Sequence, residues 1–288
     1  MILNRSIAIR LLRDTDIPSA MRLKDYAGWN QTEEDWRRLL ELEPEGCFAA
    51  LLDGELVGTT TSTTYGSDLG WIGMVLVNPA NRRLGVATAL MKTVLEFLSE
   101  KVDTIKLDAT EEGRHVYERF DFKFESLLER WAGISDVSSI QVSDRSVPDG
   151  SSVSREDLFA FDRSAFDADR SRLISTLIDH ASFQPVYSRS SDGRLTGYAL
   201  ARPGSVANYI GPVVATDEDG ARRLLDGSLS QMSGKPVYID FNSAFPNGRQ
   251  LLMDRGFKKQ RDLLRMNCGR TTEKTSSLVF AIAGPEVG

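Results

Sequence analysis

The chain is written twice, and a fold read from this sequence has to accommodate that repetition. Asp53-Gly54-Glu55-Leu56-Val57-Gly58 is echoed by Asp192-Gly193-Arg194-Leu195-Thr196-Gly197, and Trp71-Ile72-Gly73 by Tyr209-Ile210-Gly211. Ile105-Lys106-Leu107-Asp108 matches Val237-Tyr238-Ile239-Asp240, residues 117–122 match 252–257, and Leu127-Leu128-Glu129-Arg130 has its counterpart in Asp262-Leu263-Leu264-Arg265. Matches that keep one order over such a distance mean that one supersecondary unit occurs twice. With 288 residues, two cores of ordinary size are expected rather than one large core. Residues 134–152 between the copies are rich in Ser, Asp and Val, with Pro148 and Gly150, the composition of a connection. The expected division is a first domain over 1–135, a linker over 136–151 and a second domain over 152–288.

Within the first copy, apolar spacing predicts helices over 15–23 and 32–42, the second opened by Thr32-Glu33-Glu34-Asp35. Strands are expected over 47–52, 55–65 and 71–77, the first two joined by an Asp-Gly hairpin turn. A helix over 85–100, a strand over 104–109, a helix over 113–120 and a last strand over 124–131 complete the unit. Helices, a β meander and then alternating elements predict an α/β (α+β) layered domain, repeated.

A net charge of −6 argues against a nucleic-acid binder, which needs clustered Lys and Arg to neutralise phosphates. The first 14 residues have no long apolar core and no cleavage-site pattern, and the longest apolar run, Trp71 to Val77, is far too short to span a bilayer. Cys47 and Cys268 are the only cysteines and His115 and His180 the only histidines, so neither a disulfide framework nor a metal site is expected. These readings point to a cytoplasmic protein without metal, membrane or nucleic-acid partners.

The segment that carries chemistry lies between an expected strand and an amphipathic helix: Val77-Asn78-Pro79-Ala80-Asn81-Arg82-Arg83-Leu84-Gly85-Val86-Ala87. A glycine there permits close backbone approach, the helix start offers unpaired N–H groups, and two arginines add positive charge, a combination suited to a pyrophosphate. No P-loop and no Gly-x-Gly-x-x-Gly pattern is present. With Arg82, Gly85 and Ala87 at the start of a helix, and Tyr117-Glu118-Arg119-Phe120-Asp121-Phe122 following, the chain resembles the GNAT acetyltransferase superfamily. It departs from that pattern at Asp121, where the family usually has Gly; Asp tolerates the left-handed conformation better than most residues.

The resemblance implies two GNAT-like domains in tandem, each a mixed, mostly antiparallel sheet flanked by helices. It implies acetyl-CoA as co-substrate, the pantetheine arm along Met74, Val75, Leu76 and Val77, and the phosphates at Arg82, Arg83, Leu84, Gly85, Val86, Ala87 and Thr88. The implied reaction is direct attack by a primary amine of a small molecule on the thioester. Tyr117 stands where many members keep a tyrosine that protonates the departing thiolate. Asp108, at a strand end, with Glu111 and Glu112 just after it, are the carboxylates available to relieve the amine of its proton. Trp29 and Asn30, before the second helix, together with Trp71 and Glu111, are candidates for the acceptor pocket. An aromatic wall beside the Asp108 carboxylate would suit a small cationic amine.

The second copy reads differently at the decisive places. Its loop is Val213-Val214-Ala215-Thr216-Asp217-Glu218-Asp219-Gly220, with carboxylates where a pyrophosphate would sit, and Leu252 stands in place of Tyr117. A degenerate, non-catalytic second domain that covers the acceptor cleft is therefore expected. A protein or peptide acceptor, or a non-catalytic acyl-CoA sensor, are the alternatives, and a monomer or homodimer is expected. Residues 277–284 are left open as a closing strand or an interface element.

Overall fold

The computed structural model describes residues 6–136, 153–270 and 277–288. The expected linker lies almost wholly outside the described residues. The first copy opens with a strand that the sequence did not announce, β1 (Ile7–Leu11), paired antiparallel to β2 (Phe48–Leu52). Helices α1 (Ile17–Tyr26) and α2 (Glu33–Leu42) lie between them in sequence. Thr32 caps α2 by accepting from the Asp35 N–H while the Asp35 carboxylate accepts from the Thr32 N–H at 2.8 Å, a reciprocal capping box. The meander β2, β3 (Glu55–Tyr65) and β4 (Leu69–Val77) turns at Asp53 (φ 53°) and Gly54 (φ 84°), the two positive dihedrals that a tight hairpin of this twist requires. Next come α3 (Val86–Ser99), β5 (Thr104–Ala109), α4 (Glu111–Glu118) and β6 (Lys123–Ile134).

The second copy runs α5 (Arg155–Phe166), α6 (Ser171–Asp179), β7 (Val186–Arg189), β8 (Leu195–Arg202), β9 (Asn208–Ala215), α7 (Glu218–Ser230), β10 (Pro236–Asn242), α8 (Gly248–Met253) and β11 (Lys258–Gly269). It ends on β12 (Val279–Ala281). Strand side chains alternate between two helical layers. Trp71, Leu128 and Leu263 enter a core shared with α1, α2, α5 and α6, whereas Ile72, Leu107 and Leu264 pack with α3.

The two copies do not keep separate sheets. Their strands form one 12-stranded sheet in the order β1-β2-β3-β4-β5-β11-β6-β10-β12-β9-β8-β7. Each copy has given the last strand of the repeated unit to the other: β11 pairs with β5, and β6 pairs with β10. The donated strands also pair antiparallel with each other, and there Leu128 lies directly opposite Leu263, its own repeat counterpart. A local two-fold relation passes through that pair. Symmetric ion pairs clip the exchange. Arg265 on β11 stands opposite Asp108 on β5 and holds both carboxylate oxygens at 2.9 and 3.0 Å. Its counterpart Arg130 on β6 stands opposite Asp240 on β10 and holds it at 2.8 and 2.6 Å. Both carboxylates are shut off from solvent, so these bidentate bonds form where water does not compete.

Removing one partner of such a pair strands a buried charge, at a cost of about 3–5 kcal/mol. Arg265→Met and Arg130→Met are each expected to lower unfolding free energy by that order in urea titrations. A loss below about 1 kcal/mol, the surface-pair range, would show that the clips carry no weight.

Candidate active site

The site begins with a defect in β4. Thr59 lies opposite Leu76 and Thr61 opposite Gly73, so Met74 and Val75 together face Thr60. This bulge holds the buried Met74 at φ 49°, a conformation unusual outside glycine, with its carbonyl accepting from the Thr59 hydroxyl at 2.9 Å. The bend takes β4 away from β5: their parallel pairing covers only residues 69–71 against 104–106. Beyond it, among the described strands, none pairs with the outer edge of Met74–Val77.

That free edge runs into a 3-10 turn, Pro79–Asn81, capped by the Asn78 side chain, and then into Arg82, Arg83 and Gly85. Gly85 adopts φ 87° at the N-cap of α3. A Cβ there would meet nothing within 4 Å, so the left-handed conformation, not crowding, is what calls for glycine. Arg82, Arg83, Leu84 and Thr88 are exposed around the helix start, whose first N–H groups have no partner inside the helix. Arg82 lines an open cleft with Val75, Leu76, Val77, Tyr26, Trp29, Glu111 and Arg261.

A second, more enclosed pocket continues from this cleft through Trp29, Val75, Thr110 and Arg261. Gln31, Met74, Asp108, Tyr117, Arg130, Leu263, Pro285 and Glu286 also line it. Tyr117 packs edge-on against Phe122, with centroids 6.2 Å apart, and burial pushes its phenol up to about 12, so it keeps its proton at neutral pH. Burial likewise pushes the Asp108 carboxyl up, although both its oxygens are held by Arg265. Glu286 accepts from Arg202 Nη2 and from Gln31 Nε2, each at 2.8 Å, and burial raises its carboxyl as well.

The structure thus gathers Trp29, Met74, Val75, Leu76, Val77, Arg82, Asp108, Glu111 and Tyr117 along one opening. It corrects two acceptor-pocket expectations. Asn30 spends its side chain on the second copy, donating to Ala207 O and accepting from Val206 N and Ala207 N, and it does not line the pocket. Trp71 is fully buried and does not line the pocket; Arg265 lies over its ring at 4.6 Å and its Nε1 donates to Pro285 O at 3.0 Å, behind the segment that does. It buttresses the segment that carries Glu286, and the wall of Trp71 and Asp108 expected around a cationic amine is not formed. Gln31, Arg261 and Glu286 were missed. Arg261 had a signal: it follows the repeat alignment at Ser126, one residue outside the matched Leu127–Arg130 and Asp262–Arg265 segments. Glu286 had none, since contacts so distant in sequence leave no local pattern.

The second copy has the same cleft, differently filled. Its β9 and β10 pair only at Asn208 and Tyr209 before parting, and β12 lies between them. Val279 pairs with Val214, Ala281 with Val213, and the Ala215 N–H donates to Leu278 O at 2.9 Å. These are the repeat counterparts of Val75, Leu76 and Val77, so here the chain itself occupies the edge left free in the first copy. At the start of α7 the Asp217 carboxylate accepts from the Gly220 N–H at 2.7 Å, filling the helix terminus with an anion of its own. The terminal run left open in the sequence is thus a closing strand.

A model of the acetyltransferase (GNAT) family matches residues 15–122, and one of an acetyltransferase (GNAT) domain matches residues 158–281. The uncharacterized N-acetyltransferase YitH of Bacillus subtilis is 27% identical over 248 residues, 86% of each chain. A crystal structure of a protein from Pyrococcus horikoshii superimposes with a TM-score of 0.85 at 22% identity, over 100% of this chain and 98% of that one. A GCN5-related N-acetyltransferase from Sphaerobacter thermophilus gives 0.66 at 15% identity, over 93% and 98%. Both likenesses concern the fold.

Gly73 gives the site a direct test. A Cβ there would lie 2.6 Å from the Glu286 carbonyl oxygen and 2.8 Å from its Cα, backbone that cannot rotate aside. Gly73→Val is expected to lift residues 285–288 off β4, to cost about 1–3 kcal/mol, and to red-shift tryptophan emission as Trp71 loses its bond to Pro285. An unchanged spectrum would mean that the segment sits more loosely.

Proposed function

Starting from a chain built of two GNAT domains in tandem, and therefore an acyltransferase, we propose that its first copy moves an acetyl group from acetyl-CoA to the primary amine of a small molecule by direct attack. The observation that carries this reading is the continuity of the opening: the free β4 edge, the loop at Gly85 and the pocket at Tyr117 form one path. The acyl donor supplies a thioester carbonyl. The chain supplies everything that holds and polarises it.

Along the edge of Met74–Val77 turned away from β3, the outward backbone groups are free to pair with an extended amide arm as an added strand would. The N–H groups of Val86, Ala87 and Thr88 at the start of α3 suit a pyrophosphate, and among the described residues Arg82 and Arg83 have no carboxylate of their own. Leu84 is exposed between them. Tyr117, protonated and inside the pocket, is suited to give its proton to the departing thiolate. Asp108 would have to release Arg265 before acting as a base, which turns attention to Glu286 for the amine. Glu111 lies at the mouth of the cofactor cleft, not in the pocket.

A small acceptor fits better than a folded protein because residues from the second copy, Arg261, Leu263, Pro285 and Glu286, wall the pocket. The second copy itself is read as non-catalytic: β12 lies along its cofactor edge and Asp217 caps its helix start. A sensor without chemistry would have no use for Tyr117 beside the thioester.

Calorimetric titration of acetyl-CoA is expected to give one equivalent for the intact protein and none for the Arg82→Glu, Gly85→Asp double variant. Two equivalents would overturn the reading of the second copy. Tyr117→Phe is expected to lower kcat by roughly 10²–10⁴ with acetyl-CoA affinity unchanged. Because the acid must be protonated and its phenol is raised to about 12, activity should show no descending limb between pH 7 and 10. A fall in that window that vanishes in Tyr117→Phe would contradict the burial argument.

A further inference from the structure

Two polar atoms of opposite sense in the acceptor pocket have no partner among the described residues. Gln31 is 93% buried, and while its Nε2 donates to Glu286, its Oε1 accepts from nothing. On β11, Arg261 Nε is buried without an acceptor. Native structures rarely leave such atoms unsatisfied, and those that remain need an explanation. One atom asks for an N–H donor, the other for an anion.

The charges around the pocket point the same way. Asp108 is matched by Arg265 and Arg130 by Asp240. Glu286 shares Arg202 with Asp35, and Asp35 also holds Arg38, so that cluster has two cations and two anions. Among the described residues Arg261 alone in this pocket has no ion-pair partner, and its burial beside Arg130 lowers its pKa, the signature of a cation in want of an anion. The pocket therefore carries an excess positive charge, which disfavours a plain alkylammonium. Arg261 is also peculiar to this pocket, since its repeat counterpart is Ser126.

We propose that the acceptor is a zwitterionic amine of the amino-acid type, its amino group received by Gln31 Oε1 and Glu286 and its carboxylate by the Arg261 guanidinium. The assignment rests on the acetyl-transfer reading above. In the reaction the ammonium first releases one proton to solvent, the neutral nitrogen forms the new C–N bond as the thioester C–S bond breaks, and that nitrogen loses a second proton as the departing thiolate takes one. The products are an N-acetyl amino acid and the free thiol, with no change of oxidation state. A planar guanidinium suits a carboxylate through two parallel bonds, which fixes the acceptor's orientation as well as holding it.

The test uses the full chain, acetyl-CoA and a panel in which each amino acid is paired with its decarboxylated amine, such as leucine with isoamylamine and phenylalanine with phenethylamine, followed by thiol release. At least one amino acid is expected to exceed its amine tenfold in kcat/KM. Arg261→Gln is expected to abolish that ratio by raising KM for the amino acid, with acetyl-CoA affinity by calorimetry unchanged and Arg261→Lys restoring part of the effect. Equal transfer to the decarboxylated amines would leave acetyl transfer standing and overturn the zwitterion. Weaker acetyl-CoA binding in Arg261→Gln would move the guanidinium to the cofactor's phosphates and overturn it too. Binding of acetyl-CoA with transfer to no amine at all would overturn the acetyl-transfer reading itself.

Discussion

The exchange of last strands, held by two buried bidentate Arg–Asp pairs, is the constraint on which the rest of this molecule depends. Because β11 lies between β5 and β6, the pocket beside Tyr117 is walled by residues the second copy donates. Without the exchange, Arg261 and Leu263 would face the other cleft. The Asp108–Arg265 pair is accordingly part of the frame before it is part of the chemistry, and its twin Asp240–Arg130 does the same work on the other side of the two-fold relation.

One architectural device serves two ends. In both copies a central strand parts from its parallel neighbour after two or three residues and leaves a cleft in the sheet. Among the described residues, that edge stays free in the first copy and leads to a loop that carries Arg82 and Arg83; in the second, β12 lies on the edge and Asp217 caps the helix. From β12 the chain continues to Pro285 and Glu286 in the first copy's pocket. Filling one cleft thus delivers the residues that shape the other.

Much of this was legible in the sequence because it is local. The hairpin at Asp53-Gly54, the capping signal at Thr32, the loop at Gly85 and the placement of Tyr117 each depend on a few consecutive residues, and periodicity located nearly every strand and helix of the first copy. The five-residue β1 escaped because it is too short for its alternation to stand out. The exchange was illegible for a different reason. Both β6 and β11 carry the same Leu-Leu and Arg pattern, so either could complete either sheet, and nothing in a single sequence says which neighbour wins. Trp71 and Asn30 were placed in the pocket by residue type, yet residues 285–288 cover Trp71 and residues 205–207 claim Asn30. Glu286 and Gln31 meet across more than 250 positions, a distance that no spacing argument spans.

Leu128 facing its own counterpart Leu263 is what the axis of a symmetric homodimer looks like, with the same surface used on both sides. Here the two partners are one chain, so the contact is intramolecular and does not depend on protein concentration. Covalent joining also lifts a restriction that symmetry imposes. In a homodimer every substitution appears twice, and a change that shuts one cleft shuts both. In this chain arginines at 82 and 83 coexist with carboxylates at 217 and 219, each written once, so the two halves are free to differ at corresponding positions.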